Sequence, residues 1–140
     1  MIYVSELMTS SVFTLKRTDS LHDLRVLMKL VNVRHIPVTD DDNSFLGLLT
    51  QRDLLSLTVS RLANIREEEQ NELESSIPVK DIMRTDVLTT TPGELLRNAA
   101  EILYRNKYGC LPVLDDNGKL VGIITEADFL RLAIALLHEA

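Results

Sequence analysis

The sequence has little of several features that define whole classes of protein. It contains a single cysteine, Cys110, which excludes an internal disulfide and a cysteine-rich zinc site and suits a reducing compartment. No apolar run approaches the ~18 residues that a membrane helix needs. The first residues, Met1–Met8, have neither a basic start nor an apolar stretch, so no signal peptide is predicted. We therefore expect a cytoplasmic protein that does not enter a membrane.

Positive charge is also scarce. The chain of 140 residues has 15 Lys and Arg against 21 Asp and Glu, a net charge of −6, which argues against a broad nucleic-acid-binding face. With 45% apolar and 26% charged residues, the composition is that of a globular protein. The length suits one ordinary domain, or two small halves that share a core.

The chain contains an internal repeat. A shift of 75 residues aligns residues 4–57 with residues 79–132 without a gap, and 14 of the 54 aligned pairs are identical. The identities fall on glycine, proline and polar residues at element ends, where chance similarity between two helices would not place them. The sequence is therefore two copies of one supersecondary unit, which we expect to be related by a pseudo-two-fold axis.

Each copy is predicted to run strand–helix–strand–strand–helix. In the first copy, Val12–Leu15 has the pattern of a strand, and the apolar spacing after Thr18 predicts a helix to about Leu30. His35–Thr39 and Phe45–Leu49 form a predicted hairpin, and a helical pattern returns after Thr50. Since the first strand reaches the second only across a helix, we expect a parallel pair followed by an antiparallel hairpin.

The second copy repeats this order with stronger local signals. Thr91-Pro92-Gly93-Glu94 has the composition of a helix start, and Asp115-Asp116-Asn117-Gly118 that of a hairpin turn. One copy alone leaves a sheet face open, so two copies packed sheet to sheet would close a core. The polar stretch Glu67–Ser76 is the predicted linker, and Pro78 begins the second unit.

The motifs at matching positions resemble those of the cystathionine-β-synthase (CBS) domain, and the doubled form resembles a CBS pair, or Bateman module. The first copy has Val-Ser-Glu-Leu-Met-Thr, His-Ile-Pro-Val and Gly-Leu-Leu-Thr-Gln-Arg-Asp; the second has Val-Lys-Asp-Ile-Met, Cys-Leu-Pro-Val and Gly-Ile-Ile-Thr-Glu-Ala-Asp. The resemblance covers about residues 2–135. It implies an α/β (α+β) fold of two CBS repeats, each with a small mixed sheet: residues 1–66, a linker at 67–77, and residues 78–140.

Family membership implies a regulatory module without catalytic residues or a required cofactor. Such modules commonly bind AMP, ADP, ATP or S-adenosylmethionine, and some bind nothing known. The expected site is the cleft between the repeats, and the expected assembly is a homodimer. The sequence shows no effector domain, so its output is expected to act through a partner protein or through a neighbouring domain outside this sequence.

Two Thr-x-x-Asp motifs are the first candidate binding residues. In the family, the matching threonine contacts phosphate and the matching aspartate contacts the ribose hydroxyls, which points to Thr50 with Asp53 and Thr125 with Asp128. A helix start with free backbone N–H groups also attracts phosphate. The alternative is a capping box, in which both side chains only satisfy the helix N–H groups. The two roles can coexist.

Basic residues surround only the first motif. Arg34, His35 and Arg52 could supply the local positive charge that an acidic protein needs to bind an anion. The second copy has Gly109, Cys110 and Ala127 at these positions, so we expect unequal clefts, with most of the phosphate charge supplied by the first copy. The alternative is that Arg34 and Arg52 are solvated surface charges.

An apolar slot for the adenine ring is the last expectation from the resemblance. In the family, the ring lies between the proline-bearing strand and the segment after the opening methionine. Here the corresponding residues are Ile36, Pro37, Leu111 and Pro112 on the strands, with Val12 and Val87 at the ends of the segments Thr9–Val12 and Arg84–Val87. The alternative is that all of these residues are simply core.

Three functional classes remain to be compared. The first is a ligand-sensing regulatory module, and the second is a non-binding dimerisation and assembly module, to which the apolar C-terminal helix contributes. An enzyme is not expected, because no nucleophile–base set can be identified and His22, His35 and His138 lack metal-ligand spacing.

Overall fold

The computed structural model describes residues 2–59, 66–106 and 109–139. They form two compact units. The middle unit is Phe13–Asp86, and the terminal unit combines the residues up to Val12 with those from Val87 onward.

The middle unit is a three-stranded sheet with helices. The strands have the order β1-β2-β3, with β1 parallel to β2 and β2 antiparallel to β3, as the sequence predicted. Its elements are β1 (Leu15–Lys16), α2 (Leu21–Val31), β2 (His35–Thr39), β3 (Phe45–Thr50), α3 (Gln51–Val59) and α4 (Glu67–Ser75), followed by a 3-10 turn at Val79–Asp81.

The terminal unit repeats this plan with a smaller sheet. Its antiparallel hairpin is joined on the parallel side only by a single bridge from Thr90 to Val113. Its elements are α1 (Val4–Leu7), α5 (Leu96–Arg105), β4 (Cys110–Leu114), β5 (Leu120–Thr125) and α6 (Glu126–Glu139). No helix in the described part of the chain is long and apolar enough to cross a membrane.

The two sequence repeats exchange their opening segments, so that each segment packs in the compact unit formed mainly by the other repeat. The backbone of Leu21, at the start of α2, donates to Ile77, which precedes the second repeat. In the same way Leu96, at the start of α5, donates to Ile2, which precedes the first repeat. Each compact unit is therefore completed by the opening segment of the other repeat, so the units and the sequence repeats have different bounds.

Each unit has its own apolar core. In the middle unit the buried side chains of α2, β2 and β3 pack with Val79 from the exchanged segment. In the terminal unit those of α5, β4 and β5 pack with Val4. The helical spacing of Leu21, Leu24 and Met28 in α2 explains why that face is buried.

Two predicted element starts are wrong. The strand predicted at Val12–Leu15 begins only at Leu15, because just Leu15 and Lys16 pair with β2. The helix predicted from about Thr18 begins at Leu21, with Ser20 as its N-cap and Asp23 completing a capping box.

The predicted helix start at Thr91-Pro92-Gly93-Glu94 is also wrong, since α5 begins at Leu96. Leu95 has an extended backbone and is the N-cap of α5, and the carbonyls of Pro92 and Glu94 accept hydrogen bonds from the N-terminal segment instead. The carboxylate of Glu94 instead accepts from the backbone N–H of Leu95 and the amide of Asn98. Those hydrogen bonds lower the pKa of Glu94 from its ordinary value of 4.5.

The predicted linker is helical. It contains α4, which packs on α2 through a paired Glu74 and Arg25, with Nε–Oε1 at 2.8 Å and Nη2–Oε2 at 2.9 Å. Burial raises the pKa of Glu74, but hydrogen bonds from Arg25 and Gln70 and the charges of Arg25 and His22 more than offset it, so the net pKa is lowered. The sequence did not predict that this helix packs on the unit, because the stretch is polar. Of its carboxylates, only that of Glu74 is buried.

Candidate functional site

The start of α3 carries the first Thr-x-x-Asp motif, and it is a capping box. The Oδ2 atom of Asp53 accepts from the Thr50 hydroxyl at 2.9 Å and from the Thr50 backbone N–H at 3.2 Å. The Asp53 backbone N–H donates back to the Thr50 hydroxyl at 3.2 Å. The capping interpretation of this motif is therefore confirmed, and the hydroxyl proton of Thr50 is directed at Asp53.

Arg84 is a residue of this site that the sequence analysis missed. Its guanidinium donates hydrogen bonds to the Asp53 carboxylate. Nη2 lies 2.6 Å from Oδ1, and Nε lies 3.1 Å from Oδ1 and 3.2 Å from Oδ2. The Arg84 side chain is 39% exposed and that of Asp53 is 14% exposed. Both charges thus lie at the accessible edge of the middle unit.

Gly47 brings Arg84 to this position. The backbones of Leu48 and Arg84 exchange two hydrogen bonds, N to O, of 2.9 and 3.0 Å. A Cβ at Gly47 would lie 2.7 Å from the Arg84 carbonyl oxygen and 2.7 Å from the Met83 sulfur, closer than such atoms can approach. The exchanged segment can therefore pair with β3 only where the strand has no side chain.

The other predicted cationic residues of the middle unit are next to this cluster. His35 on β2 pairs with Thr50 on β3, and the carbonyl of Arg34 accepts from the backbone N–H of Gln51 at 2.9 Å. Arg52 follows in the first turn of α3. Arg34 and Arg52 are exposed, and neither has an ion pair with the described residues. The backbone thus places Arg34 and Arg52 near the motif, and among the described ion pairs Asp53 contacts Arg84.

The terminal unit has an equivalent motif with different partners. Asp128 accepts from the backbone N–H of Thr125 at 2.8 Å and from its hydroxyl at 3.3 Å. Its other oxygen accepts from the Thr9 hydroxyl at 3.3 Å and forms an ion pair with Arg131 on the next turn of α6. The Asp128 side chain is only 2% exposed, so this carboxylate is enclosed by its own partners.

Thr9 and Arg84 are counterparts in the repeat, and so are Gly122 and Gly47. Thr9 exchanges two backbone hydrogen bonds with Ile123, of 2.8 and 2.9 Å. A Cβ at Gly122 would lie 2.8 Å from the Met8 sulfur and 3.0 Å from the Thr9 carbonyl. Equivalent pairs of backbone hydrogen bonds thus place the cationic Arg84 beside Asp53 and the neutral hydroxyl of Thr9 beside Asp128.

The residues predicted to form an apolar slot are divided between the units. Ile36 and Pro37 are buried in the middle unit, and Leu111 and Pro112 are buried in the terminal unit. The half-buried valines that completed the prediction are both in the terminal unit: Val12 and Val87. The strand residues are at least partly core, as the alternative interpretation held.

Other reactive groups do not suggest a second chemistry. Burial raises the pKa of the Cys110 thiol to about 12, which keeps it protonated, consistent with its predicted packing role. No group of three or more His, Cys, Asp or Glu side chains within the described residues could hold a metal ion.

The sequence contained a signal for Arg84 that was not used. The 75-residue shift aligns Thr9 with Arg84, a neutral residue with a cation directly after the shared methionine. Its meaning depends on the exchange of segments, because Arg84 opens the second repeat but contacts the motif of the first.

Comparisons with known proteins decide the family. The CBS domain model matches residues 4–60 and 79–135. The chain belongs to the CBS-domain family. It is a tandem CBS pair, as the motifs predicted.

Relatives of different lengths contain this CBS pair. A CBS domain-containing protein of Dictyostelium discoideum is 30% identical over 137 residues, covering 98% of this chain and 94% of that protein. An uncharacterized protein of Methanocaldococcus jannaschii is 33% identical over 129 residues, which are 92% of this chain but 42% of that protein. The chain therefore spans less than half of the second relative.

Solved structures confirm the fold. The Vibrio cholerae protein AcuB, named for acetoin utilization, is 38% identical with a TM-score of 0.81, over 99% of this chain and 94% of that one. The plant protein CBSX2, from Arabidopsis thaliana, is 28% identical with a TM-score of 0.81. In its complex with AMP, the match covers 97% of this chain and 98% of that one.

The donor set around Asp53 suits an anionic nucleotide. Arginine guanidinium groups bind phosphate oxygens in paired hydrogen bonds, and a carboxylate accepts hydrogen bonds from sugar hydroxyls. Arg84 is paired with Asp53, and Arg34 and Arg52 are exposed on the neighbouring backbone. Around Asp128 the only described cation is Arg131, which is already paired with it.

Proposed function

We propose that this CBS pair is a regulatory module that binds an adenosine nucleotide, AMP, ADP or ATP, and signals its presence to a partner protein. The observation that carries the proposal is the cluster at the start of α3. There Asp53 is held by its cap and faced by Arg84, with Arg34 and Arg52 alongside.

Each part of the cluster has a role in this proposal. Asp53 accepts hydrogen bonds from the ribose hydroxyls, and Thr50 holds its carboxylate in place. Arg34, Arg52 and His35 supply positive charge for the phosphates, and the backbone of the strand that carries the buried Ile36 and Pro37 is the proposed contact for the base. Thr125, Asp128, Leu111 and Pro112, with Val12 and Val87, are the equivalent candidates in the terminal unit, where we expect weaker phosphate binding.

Two findings support this proposal. The solved structure of CBSX2 with AMP has the same fold, at 28% identity over nearly the full chain. The second is that Arg34 and Arg52 are exposed beside the start of α3 and have no ion pair among the described residues. Sensing requires that the nucleotide bind more tightly to one conformational state than to another.

A thermal-shift titration tests the proposal. The protein is heated with AMP, ADP, ATP or S-adenosylmethionine, with and without magnesium, and with GTP as a control. A ligand at a hundred times its Kd stabilises the protein by about 2.7 kcal/mol, which raises the Tm by about 5–10 °C at this chain length.

Matched variants locate the site. Asp53→Asn is expected to abolish the shift, and Asp128→Asn, at the equivalent position, to leave most of it. If no adenosine nucleotide moves the Tm at millimolar concentration, the nucleotide proposal is wrong. If Asp128→Asn alone removes the shift, the site has been assigned to the wrong repeat.

The exposed face of α6 favours a second candidate function, a dimerisation and assembly module. Leu130, Ile134 and Leu137 follow one another at helical spacing and are 62%, 47% and 73% exposed. Under this alternative the chain forms a homodimer and the ligand site is vestigial. A homodimer is expected under both functions, so sedimentation of the wild type and Ile134→Asp is combined with the nucleotide titration. A dimer that becomes a monomer in Ile134→Asp and that no adenosine nucleotide stabilises supports the assembly function, and a monomeric wild type contradicts it.

A further inference from the structure

We propose that Arg84 makes nucleotide binding conditional on a phosphate group. In the free protein its guanidinium pairs with the Asp53 carboxylate. A bound phosphate takes over the guanidinium, and the carboxylate is thereby released to the ribose hydroxyls. This inference rests on the proposed function and adds a specificity-determining residue to it.

The first step in the argument is the number of acceptor positions on Asp53. A carboxylate offers about four lone-pair positions. The Oδ2 atom accepts from the Thr50 N–H, the Thr50 hydroxyl and the Arg84 Nε, and the Oδ1 atom accepts from Arg84 Nη2 and Nε. A ribose diol needs two acceptors, so it competes directly with Arg84.

The second step is that the side chain of Arg84 can leave while its backbone stays. The backbone is fixed to Leu48 by two hydrogen bonds, whereas the side chain is 39% exposed at the edge of the unit. The cap from Thr50 holds Asp53 independently of Arg84. A rotation of the arginine side chain therefore frees the carboxylate while the backbone pairing and the cap stay in place.

The third step is charge. If Arg84 leaves Asp53 without a new partner, a charge-assisted pair is lost, and a nucleoside cannot replace it. A phosphate replaces it with another paired contact, and Arg34 and Arg52 lie on the neighbouring backbone to assist. The ion pair thus opposes nucleosides more than nucleotides.

The terminal unit shows the counterpart residue at this position, although there Arg131 of α6 pairs with the aspartate. Thr9 occupies the position of Arg84 and donates only a hydroxyl to Asp128, at 3.3 Å. A neutral hydroxyl has no preference for phosphate charge. Arg84→Thr therefore converts the Asp53 site to the residue that its counterpart already has.

Calorimetric titration with AMP and with adenosine tests the inference. For the wild type we expect adenosine to bind at least tenfold more weakly than AMP. In Arg84→Thr we expect the affinity for AMP to fall about tenfold, because one charge-assisted pair is lost. We expect the affinity for adenosine to rise, so that the preference for AMP over adenosine is lost. Arg84→Lys, which keeps the charge, is expected to retain a preference for AMP.

The control is Arg52→Thr, which removes charge without freeing Asp53. This variant is expected to lower the affinity for AMP and to leave the affinity for adenosine unchanged. If Arg84→Thr leaves the ratio of the affinities for AMP and adenosine unchanged, the arginine is only a structural partner and the inference is wrong. If the wild type binds none of AMP, ADP and ATP, the proposed function itself fails, a result distinct from the loss of the preference.

Discussion

Asp53 and Asp128 occupy the same position in the two repeats and cap their helices in the same way, yet their surroundings differ. Asp53 faces a half-exposed arginine from the exchanged segment, and Asp128 is enclosed by a threonine and by an arginine of its own helix. The shared motif sets the backbone of both sites. The residues that differ lie outside it, so the motif alone does not distinguish a binding site from a helix cap.

The largest expected effects come from the two glycines that admit the exchanged segments. Gly47→Ala is expected to lower the free energy of unfolding by about 3 kcal/mol, because the new Cβ would meet a backbone carbonyl and a sulfur at 2.7 Å. Gly122→Ala is expected to cost about 1–2 kcal/mol, since its closest contact is with the flexible Met8 side chain and the carbonyl is at 3.0 Å. Urea denaturation measures both.

Gly93→Ala is the control for these variants, because no atom lies within 4 Å of the added Cβ. Its stability is expected to equal that of the wild type. Equal losses for Gly47→Ala and Gly122→Ala would contradict the claim that the two segments pack with different tightness.

A smaller effect separates the two aspartates. Asp128→Ala is expected to destabilise the protein by about 2 kcal/mol, since a buried cap and its partners are lost together. Asp53→Ala is expected to cost about 1 kcal/mol, because its ion pair with Arg84 is partly exposed and contributes little beyond the cap.

Chemical denaturation without ligand measures this pair, with circular dichroism confirming that both variants fold. The reverse order, with Asp53→Ala the more destabilised, would show that Asp53 is the more important structural residue. That result would count against the proposal that Asp53 binds a ligand.

The smallest expected effect depends on pH and concerns α4, a helix of the middle unit. The pKa of Glu74 in the folded protein lies below its ordinary value of 4.5, so its ionised form stabilises the fold above about pH 4.5. That stabilisation is lost as the pH falls from there through the folded-state pKa. Glu74→Gln is expected to cost about 1 kcal/mol at neutral pH, the difference between a charge-assisted and a neutral hydrogen bond.

Tm measurements from pH 7 down to pH 3 test this. The wild type and Glu74→Gln are expected to converge in acid, because the protonated carboxyl resembles the amide. A constant difference across the range would show that Arg25 does not depend on the charge of Glu74.

Most of the fold followed from the repeat and from local patterns. The hairpins were predicted because proline, aspartate and glycine mark their strands and turns, and the parallel pair followed from the intervening helix. The start of α5 was missed because Pro92 and Glu94 use their carbonyls for a distant segment, which no local pattern reveals.

The exchange of segments could not be predicted, and with it Arg84 was missed. Gly47 and Gly122 are equivalent, so the sequence does not say which opening segment packs against which strand. Only the tertiary structure shows that Arg84, rather than Thr9, faces Asp53. Arg34 and Arg52 were predicted from the family resemblance. The backbone pairing next to Gln51 places Arg34 near the start of α3, and Arg52 lies in the first turn of that helix.

The exchange also sets an order of events during synthesis on the ribosome. Phe13–Asp86 is a continuous stretch, so the middle unit can complete its core once those residues have left the exit tunnel. Val4 and its neighbours must wait for β5 and α5, more than 80 residues later, before they can be buried. During that interval residues 2–12 lack the packing partners that they later contact.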